Sequence, residues 1–147
     1  MTEPSSASER PLRLLFCCIE NQCRSQMAEG FARLHGGGQV EAYSAGTRPS
    51  GRVHPKAIAA MRERGYDLAW HWSKGLADVP DREFDVLVTF GCAEACSQVR
   101  ARRREDWGVP VPKDMPIKEF RVIRDRIEEQ VKELLAVQGV APSSVVK

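Results

Sequence analysis

The chain has 147 residues, of which 42% are hydrophobic and 29% charged, with a net charge of +2. That length suits one domain able to bury roughly two thirds of its unfolded surface, and the composition is ordinary for a globular protein. No apolar run approaches the ~20 residues of a membrane span, and a charge so near neutral gives no reason to expect nucleic acid.

The polar opening MTEPSSASER does not read as a signal peptide, so a cytoplasmic protein is expected, with no membrane and no nucleic-acid partner. Residues 1–10 and 139–147 read as flexible tails around one catalytic domain at 11–138. Pro11 to Cys18, PLRLLFCC, is a continuous apolar run and predicts a buried strand. From Ser25 the spacing turns helical, with Met27, Ala28, Phe31 and Leu34 on one face and Gly36-Gly37-Gly38 as the stop. Val40 to Ala45 predicts a second strand, and Pro55 opens a helix carrying Ile58 and Met61 that stops at Gly65. Phe84 to Phe90, FDVLVTF, predicts a third buried strand. The basic cluster of Arg100, Arg102, Arg103 and Arg104 reads as a solvated face. The final helix is the clearest, with Phe120, Ile123, Ile127, Val131 and Leu134 forming one apolar stripe.

Strands alternating with helices predict an α/β domain around a parallel sheet. Ligands of such sheets sit beyond the carboxyl ends of the strands. Here the first and third strands end in Cys18 and in the Gly91-Cys92 turn, so two cysteine-bearing loops are expected on one edge.

Five cysteines in a chain without a targeting signal direct attention to catalysis, redox work or metal binding before structural disulfides. They stand at Cys17, Cys18, Cys23, Cys92 and Cys96, with no CxxC pair and only His35, His54 and His71 to add imidazoles. That spacing argues against a zinc site.

Cys18-Ile19-Glu20-Asn21-Gln22-Cys23-Arg24-Ser25 runs from a strand into a helix. A loop this short can turn successive backbone N–H groups inward as a nest for an anion, and the following helix adds free N–H groups and its positive dipole end. Arg24 supplies a planar fork for two oxygens of a tetrahedral oxyanion. The same field favours a nucleophilic thiolate at Cys18, and Ser25 is placed to hydrogen-bond it. Asn21 can hold the loop through bonds to backbone. Cys17, inside the strand run, reads as core, and Cys23 as a bystander in the loop.

The stretch FCCIENQCRSQMAEGFAR closely resembles the oxyanion loop and first helix of the low-molecular-weight tyrosine phosphatase superfamily. Within it, the chain looks most like the thioredoxin-coupled arsenate reductases. The likeness continues through EAYSAGTRPSGRVHPKAIAAMRERGYDL, FDVLVTFGC, EDWGVP and KEFRVIRDRIEEQVKELL, from about Leu12 to Val137. It implies a four-stranded parallel sheet flanked by helices in flavodoxin-like order. It also implies a relay. Cys18 attacks arsenate, Cys92 attacks Cys18 and releases arsenite, and Cys96 takes over Cys92, leaving a disulfide for thioredoxin or another redoxin. An external thiol reductant is then needed and no tightly bound cofactor is expected.

Three departures qualify the likeness. Where the superfamily carries an Asp-Pro whose Asp protonates the leaving group, this chain has Val111-Pro112, with Asp114 and Glu20 as alternatives. Some arsenate reductases of this type bind potassium through positions matching Asn21, Glu29, Ser44 and an acidic residue. Here the last is Lys74, whose ammonium would repel a cation and neutralise Glu29, so no metal is expected. The Cys92/Cys96 pair is spaced CxxxC and is followed by Ser97 where Pro is common. The expected activity is arsenate reduction, with phosphate as an alternative oxyanion. The rivals are a phosphotyrosine-type phosphatase, with Trp70, Trp72 and Trp107 as candidate mouth aromatics, and a weakly active oxyanion binder.

Overall fold

The computed structural model describes residues 10–142. The expected tails therefore lie mostly outside the described range. Inside it, Arg10 pairs through both Nη atoms with Asp85 at 2.9 Å, and Gln39 donates to the Ala141 carbonyl at 2.8 Å.

The elements are β1 (Leu12–Cys18), α1 (Arg24–Gly36), β2 (Val40–Gly46), α2 (Pro55–Arg62), β3 (Phe84–Thr89), β4 (Ala101–Asp106) and α3 (Ile117–Val137). All strand pairs are parallel, in the order β2-β1-β3-β4. This is the α/β architecture expected. Strand β1 lies between β2 and β3, and five consecutive residues, Leu14 to Cys18, are buried. A strand covered on both faces reads as an unbroken apolar run, which is why PLRLLFCC carried so strong a signal.

The fourth strand answers to no apolar pattern. Ala101–Asp106 is ARRRED, with no buried residue, and pairs only with β3. The arginine cluster is thus a charged sheet edge, a device that discourages pairing with other chains.

The two faces are closed differently. Leu14, Phe16, Val86 and Val88 pack with buried residues of α1, α2 and α3 in one large core. Leu15, Cys17 and Leu87 point to the other face, where Phe84, Cys92 and Cys96 complete a smaller cluster under loops and short 3-10 turns. Adjacent strand residues alternate faces, so Cys17 and Cys18 belong to different cores. No helix among the described residues is long and apolar enough to cross a membrane.

Candidate active site

The segment between β1 and α1 begins at the carboxyl end of the central strand. Its carbonyl groups face outward: Cys18 O, Ile19 O, Glu20 O and Gln22 O accept from the N–H groups of Thr47, Arg48, Ser50 and His54 at 2.7–3.2 Å. Asn21 O accepts from Gln26 Nε2 at 3.2 Å. The N–H groups of Ile19 to Cys23 donate to no protein acceptor among the described residues. Carbonyls turned out and amides left free are the arrangement of an anion nest. The turn needs Asn21 in the left-handed region, φ 54°, where asparagine is among the better tolerated residues. It also needs Gly46, because a Cβ there would lie 2.6 Å from the Ile19 oxygen and 3.0 Å from Asn21.

A cavity of about 380 Å³ opens over this loop, lined by Cys18, Ile19, Glu20, Gln22, Cys23, Arg24, Val111, Lys113 and Asp114. Cys18 Sγ lies 2.9 Å from Ser25 Oγ, the contact anticipated from their spacing. Ser25 Oγ in turn accepts from Asn21 Nδ2 at 2.7 Å, which also reaches Ser44 Oγ at 3.1 Å. The Asn21 side-chain oxygen accepts from Gln26 Nε2 at 2.7 Å and from Lys74 N at 2.9 Å. Gln26 Oε1 meets His71 Nδ1 at 2.8 Å, and His71 Nε2 meets Tyr66 OH at 2.8 Å. Burial pushes His71 down to about 4, so the ring is neutral at pH 7, with Nδ1–H donating to Gln26 and Nε2 accepting from tyrosine. Five contacts thus join Tyr66 to Cys18. Gln26 and His71 were not singled out in the sequence as site residues. They are brought together across 45 positions only by the closed fold.

Arg24 is 7% exposed and lines the cavity. Its Nη1 donates to Val109 O at 2.9 Å and Phe90 O at 3.2 Å, and its Cζ sits 5.6 Å from the Phe90 ring centroid. One guanidinium nitrogen fixes the fork to the backbone beyond β3 and β4, and Nη2 and Nε bond no other described residue. Cys23 also faces the cavity, and burial, followed by the neighbouring Cys18, pushes its thiol up to about 12.

Val111, half exposed, stands on the cavity wall where the general acid was looked for, and both alternatives, Glu20 and Asp114, line the same cavity. Glu20 is engaged by Lys113 Nζ at 2.8 Å, whereas Asp114 is in no ion pair among the described residues. None of the three tryptophans lines the cavity. Trp70 and Trp72 are exposed elsewhere, and Trp107 is buried between Phe16 and Phe90.

Behind the loop, Lys74 Nζ lies 3.7 Å from Glu29 Oε1, 3.4 Å from Ser44 Oγ and 3.3 Å from Trp72 O. Arg33 holds the other Glu29 oxygen at 2.9 Å. The lysine is buried where the cation position was inferred, and it supplies Glu29 with a positive partner.

Cys92 lies just past β3, after Gly91 at φ 83°, and Cys96 in a 3-10 turn at Glu94–Cys96. Their sulfurs are 3.8 Å apart. Cys92 Sγ lies 3.2 Å from the Cys17 carbonyl, the peptide joined to Cys18. Cys17 is in the core as read from the sequence, yet its sulfur also lies 3.0 Å from that of Cys96. Contacts with Cys17 and then Cys96 lower the Cys92 thiol, and Cys17 and Cys96 are raised in return.

The family model described as low molecular weight phosphotyrosine protein phosphatase matches residues 13–143. A curated relative, the glutaredoxin arsenate reductase of Synechocystis sp., is 36% identical over 127 residues, covering 84% of this chain and 96% of its own. Among solved structures, an arsenate reductase in the phosphate binding state superposes with a TM-score of 0.75 at 36% identity, covering 85% of this chain and 97% of that one. The thioredoxin-dependent arsenate reductase of Corynebacterium glutamicum gives a TM-score of 0.73 at 27% identity, covering 88% of this chain and 63% of that one. With the match running from β1 past the end of α3, the chain belongs to the low-molecular-weight phosphotyrosine protein phosphatase family.

Proposed function

We propose that the chain is an arsenate reductase working through Cys18, Cys92 and Cys96. The observation that carries this reading is the meeting of two sulfur-bearing loops at the carboxyl ends of β1 and β3. Cys92 Sγ comes within 3.2 Å of the peptide carbonyl preceding Cys18, with Cys96 3.8 Å beyond it. A phosphatase needs the first loop alone.

The chemistry is thiol–disulfide exchange built on an oxyanion adduct. The loop amides and Arg24 hold arsenate while the Cys18 thiolate attacks arsenic and displaces an oxygen as hydroxide or water. Val111 offers no proton, and a leaving group this small draws one from solvent. The Cys92 thiolate then attacks Cys18 sulfur. The S–As bond breaks, its electron pair stays on arsenic, arsenite leaves and a Cys18–Cys92 disulfide forms. Cys96 attacks Cys92, freeing Cys18 and leaving a Cys92–Cys96 disulfide for an external dithiol to reduce. Ala93, Glu94 and Ala95 are exposed, which gives a redoxin a surface to approach. Two relatives are named for glutaredoxin and thioredoxin, and we assign this chain a partner of that class.

Arsenite release under single turnover, with and without thioredoxin, tests the reading. The natural chain should lose two thiols per arsenite formed. Cys18→Ser should release none, Cys92→Ser should stop at the adduct, and Cys96→Ser should complete one turnover and stall with Cys18 bonded to Cys92. Full turnover in both Cys92→Ser and Cys96→Ser would sink the relay. The second reading, slow hydrolysis of a phosphomonoester, draws on Asp114, which lines the cavity without an ion-pair partner among the described residues.

A further inference from the structure

On the sheet face away from the three helices, beside the carboxyl ends of β1 and β3, three thiols converge. Cys17 Sγ and Cys96 Sγ are 3.0 Å apart, Cys92 Sγ and Cys96 Sγ 3.8 Å, and all three sulfurs lie within 4.8 Å of one another. A relay needs only Cys92 and Cys96 on this side of Cys18. Cys17 is a third thiol that the chemistry above does not use, turned here by the alternation of β1 and fully buried.

A centre bonded to three sulfurs at about 2.3 Å, the length of a metal–thiolate bond, needs those sulfurs roughly 3.4–4.0 Å apart, whether the centre is pyramidal or planar. The Cys92–Cys96 separation falls inside that range, Cys17–Cys96 is shorter by a few tenths of an ångström, and the third pair is no more than 4.8 Å apart, so small side-chain shifts bring the three to a common centre. Thiolates are soft ligands and select thiophilic centres. The choice among these follows from charge and coordination number. The walls are apolar, with Leu15, Ala45, Phe84 and Leu87 buried in the same cluster. Arg104 approaches from an exposed position, through the Cys96 carbonyl at 3.3 Å and not the sulfur. Three thiolates around a divalent metal leave a net negative charge in this apolar setting, which is costly. Zinc also wants a fourth ligand, and among the described residues no imidazole or carboxylate joins the three sulfurs. A trivalent centre with three thiolates is neutral and needs no fourth ligand.

We propose that Cys17, Cys92 and Cys96 form a trithiolate site for trivalent arsenic, the product of the proposed reaction. Binding exchanges three As–OH bonds of arsenous acid for three As–S bonds. The three thiol protons leave with the hydroxyls as three waters, and arsenic stays trivalent throughout. The site exists only in the reduced chain, since a Cys92–Cys96 disulfide removes two of its ligands. Occupancy withdraws both resolving thiols from Cys18, so accumulating arsenite halts its own production. The regulatory part rests on the reductase reading, and the binding part does not.

The test titrates the reduced full chain with sodium arsenite. Native mass spectrometry, counting of thiols that remain reactive and X-ray absorption at the arsenic edge provide the readouts. One arsenic should bind with loss of three hydrogens, sit on three sulfurs and protect three of the five thiols. Cys17→Ala and the better-filling Cys17→Val should leave arsenic on two sulfurs and one oxygen, bound at least tenfold more weakly, and should relieve inhibition of multiple turnovers by added arsenite. Cys18→Ser should hold arsenite on three sulfurs although it reduces no arsenate. Two-sulfur coordination in the natural chain, or unchanged affinity and coordination in both Cys17 variants, overturns the proposal. So does preferential stoichiometric binding of zinc from zinc chloride in competition with arsenite. If the natural chain holds arsenite on three sulfurs but never reduces arsenate, the reductase reading falls and this site stands.

Discussion

Under the proposed reaction, two side chains decide what the cavity can do to an oxyanion. Arg24 Nη1 is already committed to Phe90 O and Val109 O, so the protein fixes one arm of the fork and aims the rest. Lysine at this position would have to choose between the anchor and the anion. Arg24→Lys is expected to lower kcat/KM for arsenate by about 10²-fold or more, because an ammonium reproduces neither the fork nor its rigidity. Steady-state kinetics and arsenate or phosphate binding measure this, and near-natural rates would show that the loop amides suffice alone. Val111 is the second. It lines the cavity, half exposed, at the position where the resemblance to the family leads one to look for a general acid. Hydrolysis in the natural chain should therefore be slow and depend steeply on the leaving group. Val111→Asp is expected to raise hydrolysis of a poor leaving group by roughly 10²-fold, the lower part of the range for general acid catalysis. Equal rates on good and poor leaving groups before the change would identify another acid, with Asp114 the first to replace.

At the level of elements, β2 shapes a loop it is not part of. Gly46 ends β2, and its missing Cβ leaves room for the Ile19 carbonyl and for Asn21. Gly46→Ala places a carbon 2.6 Å from that carbonyl, so the loop or the strand end must yield. We expect destabilisation of about 1–3 kcal/mol, the usual cost of overpacking, and at least a tenfold loss in oxyanion affinity. Thermal unfolding and phosphate binding provide the two readings, and an unperturbed affinity would mean that the turn is held by Asn21 alone. The elements also show what the sequence could and could not disclose. Strands β1 and β3 were legible because burial on both faces writes an unbroken apolar run, and α3 because one stripe recurs over 21 residues. Strand β4 was not, since ARRRED has no buried residue and its partner, β3, is specified only by the fold. The Cys18 loop was legible through its local spacing. The Gln26–His71 contact was not, because no local rule links residues 45 apart. Cys17 lay between these cases. Its burial followed from the strand, but its approach to Cys96 depended on where the loop after β3 folds back.

Over the whole molecule, the site and the stability of the chain share one buried histidine. His71 sits against Gln26 and Tyr66, with Glu29 at 3.7 Å and Lys74 and Arg33 near enough to disfavour its positive form. Burial is the largest influence and lowers the ring from 6.5 to about 4. In the unfolded chain the imidazole takes up its proton near 6.5, whereas in the folded chain it does so near 4. Between these values the unfolded state holds more protons. The contribution of His71 is therefore complete above pH 6.5 and is lost as pH falls toward 4, on the order of 3 kcal/mol across the window. His54, also lowered by burial, acts in the same direction. The carboxylates of Asp85, Asp106 and Asp125 are lowered, so their contributions fade only in more acid solution. Urea unfolding between pH 5 and 7 should show stability falling as the solution is acidified. His71→Gln, which carries no titrating group, should reduce that slope while leaving the His54 share. Activity of the folded chain should hold through this window and fall only as pH approaches 4, where the ring takes up its proton, loses the lone pair for the Tyr66 hydroxyl and disturbs the chain of contacts through Gln26 and Asn21 to Ser25 and Cys18. An unchanged slope in His71→Gln would move the acid sensitivity to His54 and separate the stability of the molecule from the tuning of its nucleophile.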